Sequence, residues 1–368
     1  MDKQKICFVI PEYNLKTPTH FFYLYDFIEL LSKDYDIFLV AERGAGKVSG
    51  VTDYCIQKRR FLPFRILENL FILLRARFRG YSSFYIHYSF LSAFQASLVA
   101  RLFGGRTWYW NCGLPWLYKR NFFRQGFEKS VYHLVNFLVT GTDNLRSEYA
   151  CHYRIPISKI IILPNWINFE NFKHQASSVR KDELKKKLNI APNQKVLLFV
   201  HRLSKRKGAN YLPEILNQLK NANVFLLVIG DGPELEVLNL KFKTYNLQAK
   251  VKFMGWVPQL EVARYFAVAE VFLLPSEEEG FPHVLLEAMA VGVPFVSNNV
   301  GGIPEIIPQP ARNFLVSSHN VKEFADKTRE LLEMDESKKN NLKLLLLEWV
   351  RQFDIKNAVS RFQKYIYE

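Results

Sequence analysis

Short apolar runs alternate with helix-like stretches over the first half of the chain. The runs have the length of buried strands, and the stretches between them, such as 21–31 and 91–102, repeat apolar residues at helical spacing. The predicted strands are 6–10, 36–40, 84–88, 107–110, 137–141 and 160–163. Buried strands separated by helices are typical of βα units, so this half is predicted to form a parallel sheet.

A second series of the same kind begins after Pro164. The polar segment 170–187 is rich in Lys and predicts a linker running into a helix. Beyond it, the predicted strands are 195–200, 224–229, 251–254, 271–274, 294–297 and 313–316, with helices at 211–220, 284–290 and 321–334. The periodic stretch 342–366 predicts a last helix that crosses back onto the first domain.

Two halves of this kind predict an α/β protein with two Rossmann-like open parallel-sheet domains that face each other across a cleft. The predicted boundaries are 1–169 for the first domain, 170–350 for the second and 351–368 for the helix that returns to the first. Ligands of open parallel sheets lie beyond the carboxyl ends of the strands, so functional loops are expected after strands.

Composition narrows the class of protein. Hydrophobic residues are 49% and charged residues 23% of the 368 residues, which is typical of a folded globular protein. The four cysteines include no Cys-x-x-Cys pair, which disfavours a disulfide framework or a cysteine zinc site and fits a reducing compartment. No run approaches the ~18 apolar residues of a spanning helix, and the first apolar run is too short for a signal peptide. We therefore expect a cytoplasmic protein.

The chain carries a net charge of +15, which favours an anionic partner. Segment 58–79 has seven basic residues and one acidic residue, and segment 117–129 has four and one. Both segments interleave aromatic residues with these cations, a composition that suits the surface of an anionic membrane. The alternative is a pair of core helices with solvated basic faces. Nucleic-acid binding is not predicted, because no basic motif of a recognised module is present.

The segment that follows the predicted strand 271–274 carries the clearest chemistry. It turns through Glu279-Gly280-Phe281-Pro282 into a helix that contains Glu287. The amides of Phe281, His283 and Val284 would lie at the start of that helix, where oxygens of a hydroxyl or phosphate can accept from them. Each carboxylate could accept hydrogen bonds from a pair of hydroxyls, one pair on a sugar and one on a ribose. The alternative is a solvated acidic loop at a helix N-terminus.

The spacing of Glu279 and Glu287, with seven residues between them, resembles the signature of the retaining glycosyltransferases of family 4, which are glycosyl transferases group 1 with the GT-B fold. Four further strand ends and the junction between the halves resemble family motifs in the same order. These are His201-Arg202-Leu203 with Lys207-Gly208, Gly230-Asp231-Gly232-Pro233-Glu234, Phe253-Met254-Gly255-Trp256-Val257, Gly301-Gly302-Ile303-Pro304-Glu305 and Pro164-Asn165-Trp166-Ile167-Asn168.

The resemblance implies a role for each matching residue. Glu287 would bind the ribose diol, and Glu279 would bind hydroxyls of the donor sugar. Arg202 and Lys207 would hold the diphosphate, although surface basicity is the alternative for both. The remaining donor-binding residues implied are Gly280, Phe281, Pro282, His283, Asn111, Gly255 and Val257. Two fixed cations and the helix amides would replace a divalent metal, so neither a metal nor a cofactor is expected.

The first half departs from the family in two places. The loop over 11–20 lacks the usual glycines; within it Thr19 is predicted to cap the next helix and His20 to face the cleft. Asn111 stands where the family commonly has a histidine that contacts the donor sugar. An asparagine can hydrogen-bond a hydroxyl but cannot carry a proton at neutral pH. His87 is either a substitute for that histidine or a core residue.

The resemblance implies a metal-independent retaining hexosyltransferase that acts by front-face displacement. It would move a sugar from a nucleotide-diphosphate sugar to a hydroxyl of a glycan or of a polyprenyl- or lipid-linked acceptor, in the synthesis of surface polysaccharide or glycolipid. The enzyme would be peripheral on the inner face of the cytoplasmic membrane. Two alternatives stay open: a GT-B sugar-nucleotide epimerase and a catalytically silent GT-B partner subunit.

Overall fold

The computed structural model describes residues 3–14, 23–44 and 48–367. These residues form two compact units. Unit 1 lies within Met1–Pro164 and Ile355–Glu368, and unit 2 is Asn165–Asp354. Each unit contains a sheet of its own, and the prediction of two parallel-sheet domains is confirmed.

Unit 1 is a parallel sheet covered by helices. Its strands, within the described ranges, are β1 (Gln4–Ile10), β2 (Tyr35–Ala41), β3 (Asp53–Ile56), β4 (Ser83–His87), β5 (Arg106–Trp110), β6 (Phe137–Thr140) and β7 (Ile160–Ile162). They lie in the order β3-β2-β1-β4-β5-β6-β7, and the recorded pairings are parallel. The helices are α1 (Tyr23–Leu31), α2 (Leu62–Phe78), α3 (Phe90–Phe103), α4 (Phe122–Leu134), α5 (Asp143–Tyr153) and α15 (Ile355–Tyr367), with α6 to α14 in unit 2.

The last helix of the chain belongs to the core of unit 1. Phe362 of α15 is buried, and its ring centroid lies 5.9 Å from that of Phe8 on β1 and 4.9 Å from that of Tyr85 on β4. The neighbouring ring of Phe27 on α1 packs edge-on against Phe362 at 5.5 Å. Aromatic burial of this kind explains why a sequence so rich in Phe and Tyr folds its C-terminus onto the first sheet.

Unit 2 repeats the architecture with six strands in the described part of the chain. They are β8 (Lys195–Val200), β9 (Val224–Ile229), β10 (Val251–Phe253), β11 (Val271–Leu274), β12 (Phe295–Asn298) and β13 (Leu315–Val316), in the order β10-β9-β8-β11-β12-β13. The helices are α6 (Phe169–Ser177), α7 (Lys181–Lys187), α8 (Leu212–Gln218), α9 (Leu235–Thr244), α10 (Gln259–Phe266), α11 (His283–Val291), α12 (Ile303–Ile306), α13 (Val321–Glu333) and α14 (Glu336–Trp349). Apart from Lys195, the residues of β8, β9, β11 and β12 are buried, as expected for parallel strands under helices, whereas β10 at one edge is half-buried.

The prediction of a linker at the start of 170–187 is wrong, because the segment forms α6 and then α7, the second of which agrees with the helix predicted at its end. Phe172 and Ala176 are buried, and the Phe172 ring lies 6.0 Å from that of Phe266 on α10. The Lys and Ser residues of the segment occupy mainly its solvent side. Its polar composition therefore reflects the exposed faces of two short helices.

The single helix predicted over 342–366 is divided into α14 and α15. The backbone between them pairs with the start of unit 2 instead of continuing the helix. The Ile167 amide donates to the Phe353 carbonyl at 2.9 Å, and the Phe169 amide donates to the Asp354 carboxylate at 3.3 Å. Strand β3 is also absent from the sequence predictions, because its apolar run is only three residues long, Tyr54 to Ile56, and all four residues of the strand are half-buried.

No helix among the described residues combines the length and the apolar composition that a membrane span needs.

Candidate active site

The loops after β8 and β11 meet at the point of unit 2 where strand order reverses. From β8 the chain proceeds to β9 and β10 on one side, and it then returns to place β11 on the other side of β8. In open parallel sheets, ligands bind at the carboxyl ends of the strands beside such a reversal. The loop that carries Arg202 and Lys207 and the loop that carries Glu279 both start at this edge.

Two glycines allow these loops to approach closely. Gly208 has a φ of +68°, and a Cβ there would lie 1.8 Å from the Pro275 carbonyl oxygen. Gly301, after β12, has a φ of +55°, and a Cβ there would lie 1.7 Å from the Glu279 carbonyl oxygen. Only glycine fits positions with both a positive φ and such contacts. The Lys-Gly and Gly-Gly motifs thus hold the backbone on both sides of Glu279.

Glu279 is a buried carboxylate with two cationic or donor partners. Its Oε1 lies 2.9 Å from the Lys207 Nζ and 3.2 Å from the His201 Nε2. Burial by itself would raise the pKa of this carboxyl group. The Lys207 charge and the hydrogen bond from His201 outweigh burial and lower the pKa from 4.5 to about 2. Glu279 is therefore ionised at neutral pH, and within the described residues its Oε2 accepts no hydrogen bond.

Glu287 lies in the second turn of α11 and has the opposite electrostatics. The Gln259 side-chain amide at the start of α10 donates to Glu287 Oε1. Its Oε2 is buried and has no hydrogen-bond partner in the part of the chain that the structure describes. Burial raises the pKa of Glu287 from 4.5 to about 7, and the Gln259 hydrogen bond offsets only part of this effect. An unpaired buried oxygen of this kind can accept from a ligand.

The turn between these carboxylates is anchored from within unit 2. Phe281 is buried, and its carbonyl accepts a hydrogen bond from the Asn165 side chain at 2.8 Å. Helix α11 then begins at His283, after Pro282, with no side-chain cap. Burial lowers the pKa of His283 to about 3, although a hydrogen bond to the Trp166 backbone opposes the shift. His283 is thus neutral at physiological pH, which suits a structural role at the helix start.

The remaining residues predicted for unit 2 differ in their exposure and in their contacts. Arg202 is exposed and has no ion pair with the described residues, while Lys207 also donates to the Glu278 carbonyl at 3.3 Å. The Gly255 carbonyl accepts from the Gly230 amide at 2.8 Å, which joins the turns after β9 and β10. Val257 is buried just before Gln259. The turn after β10 therefore leads directly to the residue that binds Glu287.

The candidate residues of unit 1 are occupied by contacts within that unit. Asn111 is buried; its Nδ2 donates to the Tyr132 hydroxyl at 3.1 Å, and its Oδ1 accepts from the Gly113 amide at 2.8 Å. His87 has no exposed surface, and its Nε2 lies 2.9 Å from the Tyr23 hydroxyl oxygen while its ring stacks on Trp110. His87 therefore occupies a core position. Thr19 and His20 lie outside the described residues.

Two residues of the site have little signal in the sequence. His201 is only part of a loop motif, and its contact with Glu279 spans 78 positions of the chain. Gln259 belongs to no motif. Its place at the first position of a helix after Pro258 is the single local feature that distinguishes it.

Comparison with known proteins agrees with the motif resemblance. Residues 180–343 match the family model described as Glycosyl transferases group 1. The chain is 27% identical over 289 residues to N-acetyl-alpha-D-glucosaminyl L-malate synthase of Bacillus anthracis, covering 77% of this chain and 74% of the relative. It is 31% identical over 173 residues to UDP-Gal:alpha-D-GlcNAc-diphosphoundecaprenol alpha-1,3-galactosyltransferase of Escherichia coli, covering 45% and 43% of the two chains. The resemblance to group 1 glycosyltransferases is confirmed.

The fold agrees with that of solved structures, one of which is a glycosyltransferase from Rickettsia africae with a TM-score of 0.82 at 16% identity. The crystal structure of Anabaena HepE in complex with UDP and glucose has a TM-score of 0.82 to this chain at 16% identity, and the match covers 99% of both chains. At that identity the likeness establishes the fold alone. The chain has the GT-B fold of two Rossmann-like parallel-sheet domains.

Replacing Glu287 by Gln should change stability in a pH-dependent way. The folded-state pKa of about 7 lies above the unfolded value, so the wild-type group contributes stability below pH 4.5 that is lost as the pH rises through 7. Gln does not titrate. We therefore expect Glu287→Gln to gain stability relative to wild type between pH 5 and pH 8, by up to about 3 kcal/mol. Thermal unfolding midpoints measured across that range would detect the gain.

Glu279→Gln is the matched control, because the pKa of Glu279 is lowered. Its contribution is present above pH 4.5 and is lost as the pH falls toward 2, so this variant should be less stable than wild type at pH 7. A Glu287→Gln difference that stays constant from pH 5 to pH 8 would contradict the environment described for Glu287.

Proposed function

We propose that this chain, through its group 1 glycosyltransferase domain, transfers a sugar from a nucleotide-diphosphate sugar to an acceptor hydroxyl with retention of anomeric configuration. The observation that carries the proposal is the pair of buried carboxylates in unit 2. Each has its Oε1 held by the protein and its Oε2 without a partner among the described residues. Two such oxygens suit two sets of hydroxyls, one on the donor sugar and one on the ribose.

The two carboxylates would act in different ways. Glu279 is ionised before the donor binds, so its Oε2 can accept at once from sugar hydroxyls. Burial raises the pKa of Glu287 to about 7, and ribose hydroxyls that donate to it would favour its ionised form. Donor binding would thus release a proton from Glu287 to the solvent. Desolvated hydrogen bonds to a charged acceptor are among the stronger ones in proteins.

The diphosphate would be held by positive groups of the same edge. Arg202 is exposed beside the site, and the Lys207 ammonium lies at Glu279. The first backbone amides of α11 lie at the N-terminus of a nine-residue helix. Fixed cations and helix amides stabilise the charge that develops as a diphosphate leaves. We infer that they perform the role of a divalent ion, so that transfer persists in the presence of a chelator.

Retention would follow from front-face displacement. The bond between the anomeric carbon and the diphosphate oxygen breaks, and the acceptor oxygen bonds to that carbon on the same face. The proton of the acceptor hydroxyl passes to the departing diphosphate oxygen, so the step needs no protein base. This agrees with the positions of Asn111 and His87, whose side chains are engaged within unit 1.

The class of acceptor is supported by the names of the relatives. One is named as a galactosyltransferase of alpha-D-GlcNAc-diphosphoundecaprenol, and another as an N-acetyl-alpha-D-glucosaminyl L-malate synthase. We propose a glycan or lipid-linked hydroxyl as the acceptor of this chain, in the synthesis of a surface polysaccharide or glycolipid on the inner face of the cytoplasmic membrane.

A membrane surface is supported by one face of unit 1, formed by α2, α3 and α4 and called here the apolar face. Its exposed large hydrophobic residues are Phe61, Leu62, Phe64, Leu67, Phe71, Phe78, Leu98, Leu102, Phe103, Phe122, Phe123 and Phe127. Phe122 and Phe123 are 83% and 85% exposed, and exposed cations such as Arg59, Arg60 and Arg75 lie beside the apolar residues in sequence. Aromatic residues among cations favour the interface of an anionic bilayer.

The transferase proposal is tested by Glu279→Gln. The amide keeps the shape of the side chain but removes the charge that holds Lys207 and accepts from sugar hydroxyls. With the nucleotide-sugar that supports turnover in wild type, we expect donor hydrolysis or transfer to fall at least about a hundredfold. The control is Glu261→Gln, an equal change on the exposed side of α10, which should retain activity. Unchanged turnover in Glu279→Gln would contradict the role of this carboxylate, and a wild type that turns over no nucleotide-sugar would favour the silent partner subunit.

The membrane proposal is tested by sedimentation with vesicles. Wild type should pellet with vesicles that contain phosphatidylglycerol and less with pure phosphatidylcholine, and salt should release it. Replacing Arg59, Arg60 and Arg75 by Ser should weaken binding about tenfold or more, since each cation near the surface contributes about 1 kcal/mol. Replacing Lys181, Lys186 and Lys187 by Ser removes the same charge from exposed positions of α7 and should have little effect. Equal losses in the two triple variants would contradict a role for the apolar face.

A further inference from the structure

His201 occupies the first position after β8, at the start of the loop that carries Arg202 and Lys207. Its ring bridges its own loop and the loop after β11. The Arg202 backbone amide donates to the His201 Nδ1 at 2.9 Å, and the His201 Nε2 lies 3.2 Å from Glu279 Oε1. A nitrogen that accepts from an amide carries no proton, so the ring proton must lie on Nε2. The geometry therefore makes Nε2 a donor to the carboxylate.

Glu279 Oε1 is shared by two donors that differ in what else they can bind. The Lys207 ammonium is a flexible cation that a diphosphate would attract. The His201 ring is held at Nδ1 by the Arg202 backbone amide, which directs its Nε2 at Glu279. If Lys207 were the sole partner of Glu279, its move toward a diphosphate would leave a buried carboxylate unpaired, which is costly.

We propose that His201 is a positioning residue that holds the Glu279 carboxylate by its Oε1 and thereby frees Lys207 to bind the diphosphate of the donor. This inference rests on the proposed function, because it assigns the second partner of Lys207 to the donor. It predicts that the contribution of His201 to diphosphate binding acts through Glu279. It also predicts that another side chain able to donate to Glu279 can replace the imidazole.

The hydrogen bond itself is tested without any ligand. In histidine-labelled protein, the 15N shifts of His201, assigned with His201→Gln, should be those of the neutral Nε2–H tautomer at pH 7. A neutral Nδ1–H tautomer, or a protonated ring at pH 7, would overturn the proposal. This result does not depend on enzymatic activity.

The role in binding is tested by calorimetric titration with UDP, GDP and ADP in turn. For the diphosphate that binds wild type, His201→Ala should weaken affinity roughly tenfold or more, and His201→Gln should restore most of it. In a Glu279→Gln background His201→Ala should have almost no further effect, as expected for a residue that acts through Glu279. Lys205→Ala, an exposed change in the same loop, is the control, and the melting temperatures of all variants report whether they fold.

The outcomes separate this inference from the proposed function. Equal losses from His201→Ala in both backgrounds, or no rescue by His201→Gln, would overturn the positioning role while nucleotide binding by wild type stands. Wild type that binds none of the three diphosphates would instead contradict the proposed function, and the role of His201 in donor binding with it.

Discussion

The ion pair between the buried Glu279 carboxylate and Lys207, with His201 as the second donor, is the interaction on which the site depends. A carboxylate with 5% of its surface exposed stays charged only if its partners are close and well placed. That requirement brings the loop after β8 against the loop after β11. The glycines at 208 and 301 follow from it, because a side chain at either position would collide with the backbone that carries Glu279.

The two carboxylates of unit 2 show how one edge of a sheet can supply two electrostatic environments. Cationic and imidazole partners lower the pKa of Glu279, whereas burial beside an uncharged amide raises that of Glu287. The first group is a charged acceptor before any ligand arrives, and the second becomes one when hydroxyls donate to it. Different tasks for residues only eight positions apart thus arise from their neighbours.

Most of the fold and the positions of the carboxylates could be predicted from the sequence. Strands such as β8 and β11 are continuous apolar runs, and the spacing of Glu279 and Glu287 is a local pattern. Strand β3 and the break between α14 and α15 could not be predicted, because an edge pairing and a contact with Ile167 decide them. The same holds for His201 and Gln259, whose contacts join residues 78 and 28 positions apart. The hydrophobic periodicity of a sequence does not show which distant side chains come into contact.

The proton balance of nucleotide binding tests most directly whether Glu287 receives the ribose. Calorimetry of a nucleoside diphosphate near pH 7, in buffers of different ionisation enthalpy, measures the protons released on binding. Wild type should release more protons than Glu287→Gln, because ribose hydroxyls lower the raised pKa of Glu287. Binding with the same proton release in both proteins would contradict the claim that Glu287 receives the ribose.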